Sequence, residues 1–306
     1  MRSISVMVLA AAMAAAPLAQ SPQPPLVKAD VTKKVTDHVW VISDGNIPMV
    51  PNVGIVVGSR ATLVVDTGLG PRNAETILKE VAKVSRHTEL YLVATHYHPE
   101  HAGGSSAFPA TAKFVVSKAE QQDIDELGMG MMQRFSGMST INADLLRGVT
   151  FRKPDVVFDR EYVIDLGGVK ATLRSLGPTH TRGDTSVFVE PDRVLFAGDI
   201  VMNRAFMAFS DQSSGAAWIS VLQQLEPLKP AVLVPSHGAV GDASLITLQR
   251  TVLSSMQTRV RELKDQGKTA DESVTTVTTE FTAKYPDWTT PARIAGAVRS
   301  FYGEVR

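Results

Sequence analysis

The sequence contains no cysteine. That absence excludes disulfides, thiolate metal ligands and a lipid-modified N-terminal cysteine, and it is compatible with an oxidising compartment. Net charge is missing too, because 31 basic residues balance 31 acidic ones. No basic stripe with interleaved aromatics stands out, so nucleic acid is not expected as a partner. Electrostatics therefore gives no clue to the substrate, and oligomeric state is not readable.

What is present describes a globular chain. Its 306 residues, 44% hydrophobic and 20% charged, suffice for a sizeable core in one large or two small domains. Arg2 is followed by an alanine-rich apolar run at 6–19 and then by Gln20, Ser21, Pro22, Gln23, Pro24 and Pro25. This has the form of a secretory signal peptide over 1–19 with a linker over 20–29. The run is shorter than the roughly 20 residues of a membrane span. A periplasmic or secreted protein, free of the membrane after cleavage, is the expectation. Cutting after Ala19 puts Pro17 at the third position before the cut and cutting after Ala16 leaves Pro17 just beyond it, so the cleavage point stays open.

Three of the seven histidines lie in His96-Tyr97-His98-Pro99-Glu100-His101, directly after the apolar run at 90–94. Imidazole is the commonest ligand for zinc and its neighbours, and a ligand at every second position lets a turning backbone aim several side chains at one point. Short apolar runs at 39–42, 53–57 and 61–65 predict strands separated by turns. Ile77, Leu78, Val81 and Val84 share a helical face behind Pro71. Further strands are predicted at 114–116, 162–164, 169–173, 186–189, 194–197 and 231–234. Ser117 is placed to cap a helix. Met129, Met131, Met132 and Met138 crowd beside Phe135, a cluster that reads either as core filler or as an adaptable apolar wall beside the histidine loop. Both halves of the chain run in the same order: strands, an aspartate at a strand end (Asp66, Asp199), a helix, a strand, then a histidine (His96, His237).

Behind residue 242 the pattern is helical and holds no titratable cluster. Leu245, Leu248, Val252, Met256, Val260 and Leu263 form one apolar face, Val274, Val277 and Phe281 a second, and Ile294, Val298 and Phe301 a third that opens on Thr290 as a cap with Pro291 behind it. A main domain over 30–242 with a helical extension of the same unit over 243–306 is the predicted organisation. His180, Asp199 and His237 each stand beside glycine after an apolar run.

With the histidine loop, these residues resemble the metallo-β-lactamase superfamily, whose metal motif is His-x-His-x-Asp-His followed at a distance by a His, an Asp and a last His. Asn52-Val53-Gly54, Val64-Val65-Asp66-Thr67-Gly68, Ala102-Gly103-Gly104 and the run ending Gly198-Asp199 extend the resemblance over most of the chain. It implies an αββα sandwich of mixed α/β class with two divalent metal ions in a cleft at one sheet edge. Carried over by position, His96, His98 and His180 would bind the first metal, Glu100, His101 and His237 would face the second, and Asp199 would bridge them. Zinc is the first expectation, with iron or manganese also suited to nitrogen and oxygen ligands. Two such ions can hold a bridging water, lower its pKa and polarise a carbonyl.

Glu100 stands where the resemblance has aspartate. The extra methylene moves the carboxylate by roughly 1.5 Å, so Glu100 either reaches the second metal with reduced affinity or acts as a base on the attacking water. Asp66 and Asp184 are expected to orient ligating histidines. Asn203 and Arg204 are candidates to bind a substrate carboxylate, with Met131 and Met132 as an apolar substrate wall. His38 and His87 are read as structural. The implied activity is an exported hydrolase in which a metal-bridging hydroxide attacks the carbonyl of a small ester, thioester, lactone or β-lactam. Asp199 argues against a dedicated β-lactamase, since the resemblance there is to glyoxalase II-like branches. The alternative is a metal-binding accessory protein of the same fold with little turnover.

Overall fold

The computed structural model describes residues 22–304; the signal-like stretch 1–19 lies outside them. The first sheet has seven strands whose order in space is their order in the chain: β1 (Thr32–Lys34), β2 (Val39–Ile42), β3 (Val53–Val57), β4 (Thr62–Val65), β5 (Leu90–Val93), β6 (Lys113–Ser117) and β7 (Val156–Phe158). β1 to β4 form an antiparallel meander, and β4 to β7 pair in parallel. Parallel neighbours need crossovers. Helix α1 (Pro71–Val84) supplies the one between β4 and β5, and α2 (Pro99–Ala102) follows β5. Between β6 and β7 run α3 (Lys118–Asp123), a π-helical turn, α4 (Met129–Ser136) and α5 (Thr140–Leu145).

The second sheet has β8 (Glu161–Asp165), β9 (Lys170–Ser175), β10 (Thr185–Glu190), β11 (Val194–Gly198) and β12 (Val232–Pro235), in spatial order β12-β11-β10-β9-β8. Only β11 and β12 pair in parallel, joined by α6 (Gly215–Leu225). Helices α7 (Ser244–Asp265), α8 (Ala270–Lys284) and α9 (Ile294–Glu304) close the chain.

Strand alternation creates the layers. Leu63, Val65, Tyr91 and Val93 of the first sheet meet Val194, Phe196 and Val234 of the second in the core between the sheets. Their neighbours point the other way: Val64, Leu92 and Ala94 pack on Ala74, Ile77 and Val81 of α1, and Leu195, Ala197 and Leu233 pack under α6 to α9. The result is helices, sheet, sheet, helices, as expected of an αββα sandwich. At Gly54 a Cβ would lie 2.3 Å from the Phe196 ring, so glycine there lets the two sheets close.

Several sequence expectations are corrected. The stretch 20–29 is not a free linker over its described part: Leu26 and Val27 donate backbone N–H groups to Asn73 Oδ1 at 2.8 Å each, and Val27 is buried. Thr290 does not cap the last helix. Its φ of 60° turns its hydroxyl away from the helix start to donate to the Phe206 carbonyl at 3.2 Å. Ser117 caps α3 as expected, accepting the Glu120 N–H at 3.0 Å.

Candidate metal centre

Five loops meet at one edge of the sandwich. β4, β5, β11 and β12 all end there, and β10, antiparallel to β11, begins there. Strand ends of an open α/β sheet are where functional side chains gather. β4 delivers Asp66, β5 delivers His96 to His101, the loop before β10 delivers His180 and Asp184, β11 delivers Asp199 and β12 delivers His237. Backbone hydrogen bonds stitch these loops together: Thr185 N to Thr95 O (2.7 Å), Thr67 N to His101 O (2.7 Å), Ser236 N to Gly198 O (3.1 Å) and Asn52 N to Ser236 O (2.6 Å). The β11–β12 register shifts between Phe196 and Gly198, and Gly198 takes φ 58°. That irregularity turns the chain just before Asp199.

Three groups of donor atoms result, each within 4.8 Å of one another: His96, His98 and His180; Glu100, His101 and His237; and His96, His101 and Asp199. The first two match the two ligand sets expected from the sequence, and the third places Asp199 between them. His96 Nε2 and His180 Nε2 lie 3.1 and 3.2 Å from His98 Nδ1. Nitrogens about 2.0–2.1 Å from one tetrahedral zinc stand roughly 3.3–3.4 Å apart, so the spacing fits.

The outward-facing nitrogens fix the tautomers. His101 Nδ1 donates to Asp66 Oδ2 (2.9 Å), His180 Nδ1 to the Ala208 carbonyl (2.6 Å) and His237 Nδ1 to the Val50 carbonyl (3.0 Å). With Nδ1 protonated, each Nε2 turns a lone pair inward. His98 Nε2, Glu100 Oε2, His101 Nε2 and Asp199 Oδ1 are buried without any hydrogen-bond partner among the described residues. Buried polar atoms are rarely left so, and groups left unpaired call for an ion or water. His98 turns Nδ1, not Nε2, to His96 and His180, so the converging unpartnered atoms are Glu100 Oε2, His101 Nε2 and Asp199 Oδ1, and with the three histidines they fit a divalent metal.

Burial pushes the imidazolium forms of His96, His98 and His237 down, helped for His96 by its histidine neighbours and opposed for His98 and His237 by Asp199. The same burial pushes Glu100 up to about 7, partly offset by His101. His101 goes to about 9, because Asp66, Glu100 and Asp199 outweigh its burial. Burial would raise Asp199, yet His237, His180, His101 and Arg293 hold it below the usual carboxylate range.

Around the donors the outcome is mixed. Asp66, with φ 68°, accepts from the Thr95 N–H at 2.7 Å and orients His101. Asp184 orients no imidazole. Its carboxylate is taken by Thr179 Oγ1, Thr181 Oγ1 (2.6 Å) and Thr181 N (2.9 Å), so it fixes the loop instead of the ring. Asn203 donates Nδ2 to the Ala239 carbonyl at 2.7 Å, bracing the His237 loop, and also lines the cleft. Arg204 and Met131 line a cleft of about 1100 Å³ above the donors, with Phe135 and Met138. Met132 does not: it is 4% exposed and packs with Leu69, Leu145 and Leu146. His38 and His87 are structural, bonded to Asp192 at 2.7 Å and to the Gly58 carbonyl at 2.9 Å. Sequence reading missed Arg293, Ile47 and Met49 as cleft residues. Nothing local marks them, because chain reversal alone brings them there.

Residues 46–237 match the metallo-beta-lactamase superfamily. Among curated proteins the chain is 26% identical over 205 residues to acyl-coenzyme A thioesterase MBLAC2 of Homo sapiens, spanning 61% of this chain and 72% of that protein. It is 25% identical over 221 residues to atrochrysone carboxyl ACP thioesterase of Aspergillus fumigatus, spanning 71% and 45%. Among solved structures, a metallo-beta-lactamase from Pontibacter korlensis superposes with a TM-score of 0.59 at 21% identity, over 73% of this chain and 98% of that one. A double mutant of the sec-alkyl sulfatase PisA1 superposes with a TM-score of 0.70 at 15% identity, over 89% and 50%.

Proposed function

We infer the activity from one premise: the chain belongs to the metallo-β-lactamase superfamily. It is a metallo-hydrolase of that fold. Within that class we propose that it hydrolyses acyl thioesters. The observation that carries the reading is the set of three buried donor atoms, Glu100 Oε2, His101 Nε2 and Asp199 Oδ1, without a partner among the described residues, beneath a cleft with one mainly apolar flank. The names of two relatives, both thioesterases, support the choice of bond.

His96, His98 and His180 would hold one divalent ion and Glu100, His101 and His237 a second, with Asp199 between them. Zinc suits the imidazole-rich set best. Bound there, a metal pair supplies a water of lowered pKa and a Lewis acid for the carbonyl oxygen. Hydrolysis joins the water oxygen to the acyl carbon and breaks the C–S bond, its electron pair leaving on sulfur. A water proton must be taken up and then given to the departing thiolate. Glu100 Oε2, unpartnered among the described residues and beside the cleft, is the atom placed to hold it, whereas Asp199 stays ionised. Asp66 keeps His101 in the tautomer that faces inward. Ile47, Met49, Met131 and Phe135 shield the acyl chain from water. Export follows from the signal-like segment at 1–19 and belongs to the same proposal.

The test compares metal-loaded protein on thioester, oxygen ester, lactone and β-lactam substrates, with the thioester and oxygen ester sharing one acyl chain. The thioester is expected to show the highest kcat/KM, by tenfold or more. A β-lactam or lactone in first place overturns the choice of bond. Stoichiometric metal with no turnover of any substrate assigns a metal-binding accessory role instead.

A further inference from the structure

The cleft has two unlike flanks. Ile47, Met49, Met131, Phe135 and Met138 make one of them mainly apolar, with the exposed Arg134 at its rim. On the other stand Arg204, exposed, and Arg293, half-buried. Neither guanidinium has a hydrogen-bond or ion-pair partner among the described residues, although the chain's other arginines are mostly paired, Arg250 with Glu226 and Arg259 with Glu280, for example. The acids facing them are few. Asp44 is committed to the Gly238 and Asn46 N–H groups, Asp287 is an exposed rim residue, and Glu100 and Asp199 belong to the metal centre.

The two arginines come from distant parts of the chain that are bound to each other. Thr289 N donates to the Arg204 carbonyl at 2.9 Å, Phe206 N donates to the Thr289 carbonyl at 3.2 Å, and Ala205 and Thr289 form a parallel bridge. Arg204 and Thr290 both sit in the left-handed region, at φ 54° and 60°. A β-branched residue there is a true outlier that persists only where its surroundings enforce it, and such positions cluster at ligand clamps. Arg293 follows three residues later, on the turn Pro291–Arg293 that leads into α9. It lies beyond the family match at 46–237, so the feature belongs to the C-terminal helices of this chain.

We propose that Arg204 and Arg293 form an anion subsite that selects acyl substrates whose leaving group carries a carboxylate or phosphate, while the acyl chain lies along the methionine flank. Guanidinium donors recognise such groups through charge-assisted hydrogen bonds. An unpaired arginine inside a cleft otherwise gains nothing from its position. This rests on the thioester reading above.

The experiment uses metal-loaded protein and one acyl chain, octanoyl, on three leaving groups: coenzyme A (phosphates), 3-mercaptopropionate (carboxylate) and N-acetylcysteamine (neutral). Arg293→Gln and the double Arg204→Gln, Arg293→Gln variant are compared with wild type, with metal content and melting temperature checked in each. The double variant is expected to lose at least tenfold in kcat/KM on an anionic substrate, mainly through KM, and less than twofold on the neutral one. A loss on coenzyme A alone assigns phosphate, and a loss on both anionic thioesters assigns any oxyanion. An equal loss on all three, or no loss, overturns the subsite while leaving the thioesterase reading intact. Calorimetric binding of desulfo-coenzyme A separates the opposite case. If wild type cleaves no thioester yet binds this probe at least tenfold more tightly than the double variant, the subsite stands and the thioester reading fails; equal binding with no turnover overturns both.

Discussion

His180 shows how one residue links local geometry to activity. Its Nδ1 is held by the Ala208 carbonyl, so its Nε2 has no role except to face His98 and Asp199. His180→Ala is expected to remove about one equivalent of metal and cut turnover at least 100-fold without loss of the fold, since the sandwich core lies elsewhere. Elemental analysis and circular dichroism on one sample decide this; full activity at full metal content would refute the role. Glu120 makes a different case. It is fully buried, both carboxylate oxygens lack hydrogen-bond partners among the described residues, and burial together with Asp66, Asp123 and Asp184 raises its pKa well above the ordinary range. The folded state therefore holds a proton there that the unfolded chain releases above about pH 4.3. Stability from this group is complete below that value and is lost as pH rises through the folded pKa. Glu120→Gln should match wild type in melting temperature near pH 4.5 and exceed it increasingly towards pH 8, by an amount on the order of 1–3 kcal/mol. A gap that does not widen with pH would show that the carboxyl is already ionised in the fold. The residues that gather into the three donor groups stood out in the sequence because the His96 loop packs four of them together and His180, Asp199 and His237 each stand beside glycine or at a strand end. Asp184 was misread, because spacing cannot say whether a carboxylate turns to a ring or to its own loop.

Helix α4 carries its meaning in its two faces. Met132 is buried in the core and Phe135 is buried with one edge on the cleft, whereas Met131 opens on the cleft, as does Met138 just beyond the helix. Met132→Ala should destabilise by about 2–5 kcal/mol through the cavity it leaves, and Met131→Ala should cost little stability but raise KM for long acyl chains. Chemical denaturation and a chain-length series measure the two; equal destabilisation by both would place Met131 in the core. From sequence the methionine cluster could be read as filler or wall, and it is both, because adjacent positions of a helix only eight residues long face about 100° apart. The long β4–α1–β5 and β11–α6–β12 units were legible from period and order. β1 and β7 were not: each has three residues, and β1 reads Thr32-Lys33-Lys34 with no apolar alternation. Partners supply such strands, not their own residues.

For the whole molecule, the C-terminal helices complete the core. Val252, Met256, Val260, Val277 and Phe301 share one cluster with Leu195, Leu233 and Trp218. Deleting 243–306 would expose that face of the second sheet, so the truncated chain should be insoluble or lack a cooperative transition in differential scanning calorimetry. A truncated protein that melts cooperatively would make the extension a separate unit. The C-terminal helices were readable from helical periodicity, but their route back to the cleft was not, since nothing in Pro291-Ala292-Arg293 announces Arg204 as a neighbour.

Asn52 ties the two halves together: its side chain donates to the Pro235 and Gly238 carbonyls at 2.9 and 2.7 Å and accepts from Asp44 N at 2.9 Å. The ribosome therefore releases the donors in instalments. A nascent chain that has not yet reached His180 carries four of the seven, and the last arrives with β12 and is locked only when Asn52 grips its loop. The seven donors are thus complete only when the whole sandwich has folded, so the geometry of the site is itself a report on the joining of the two sheets.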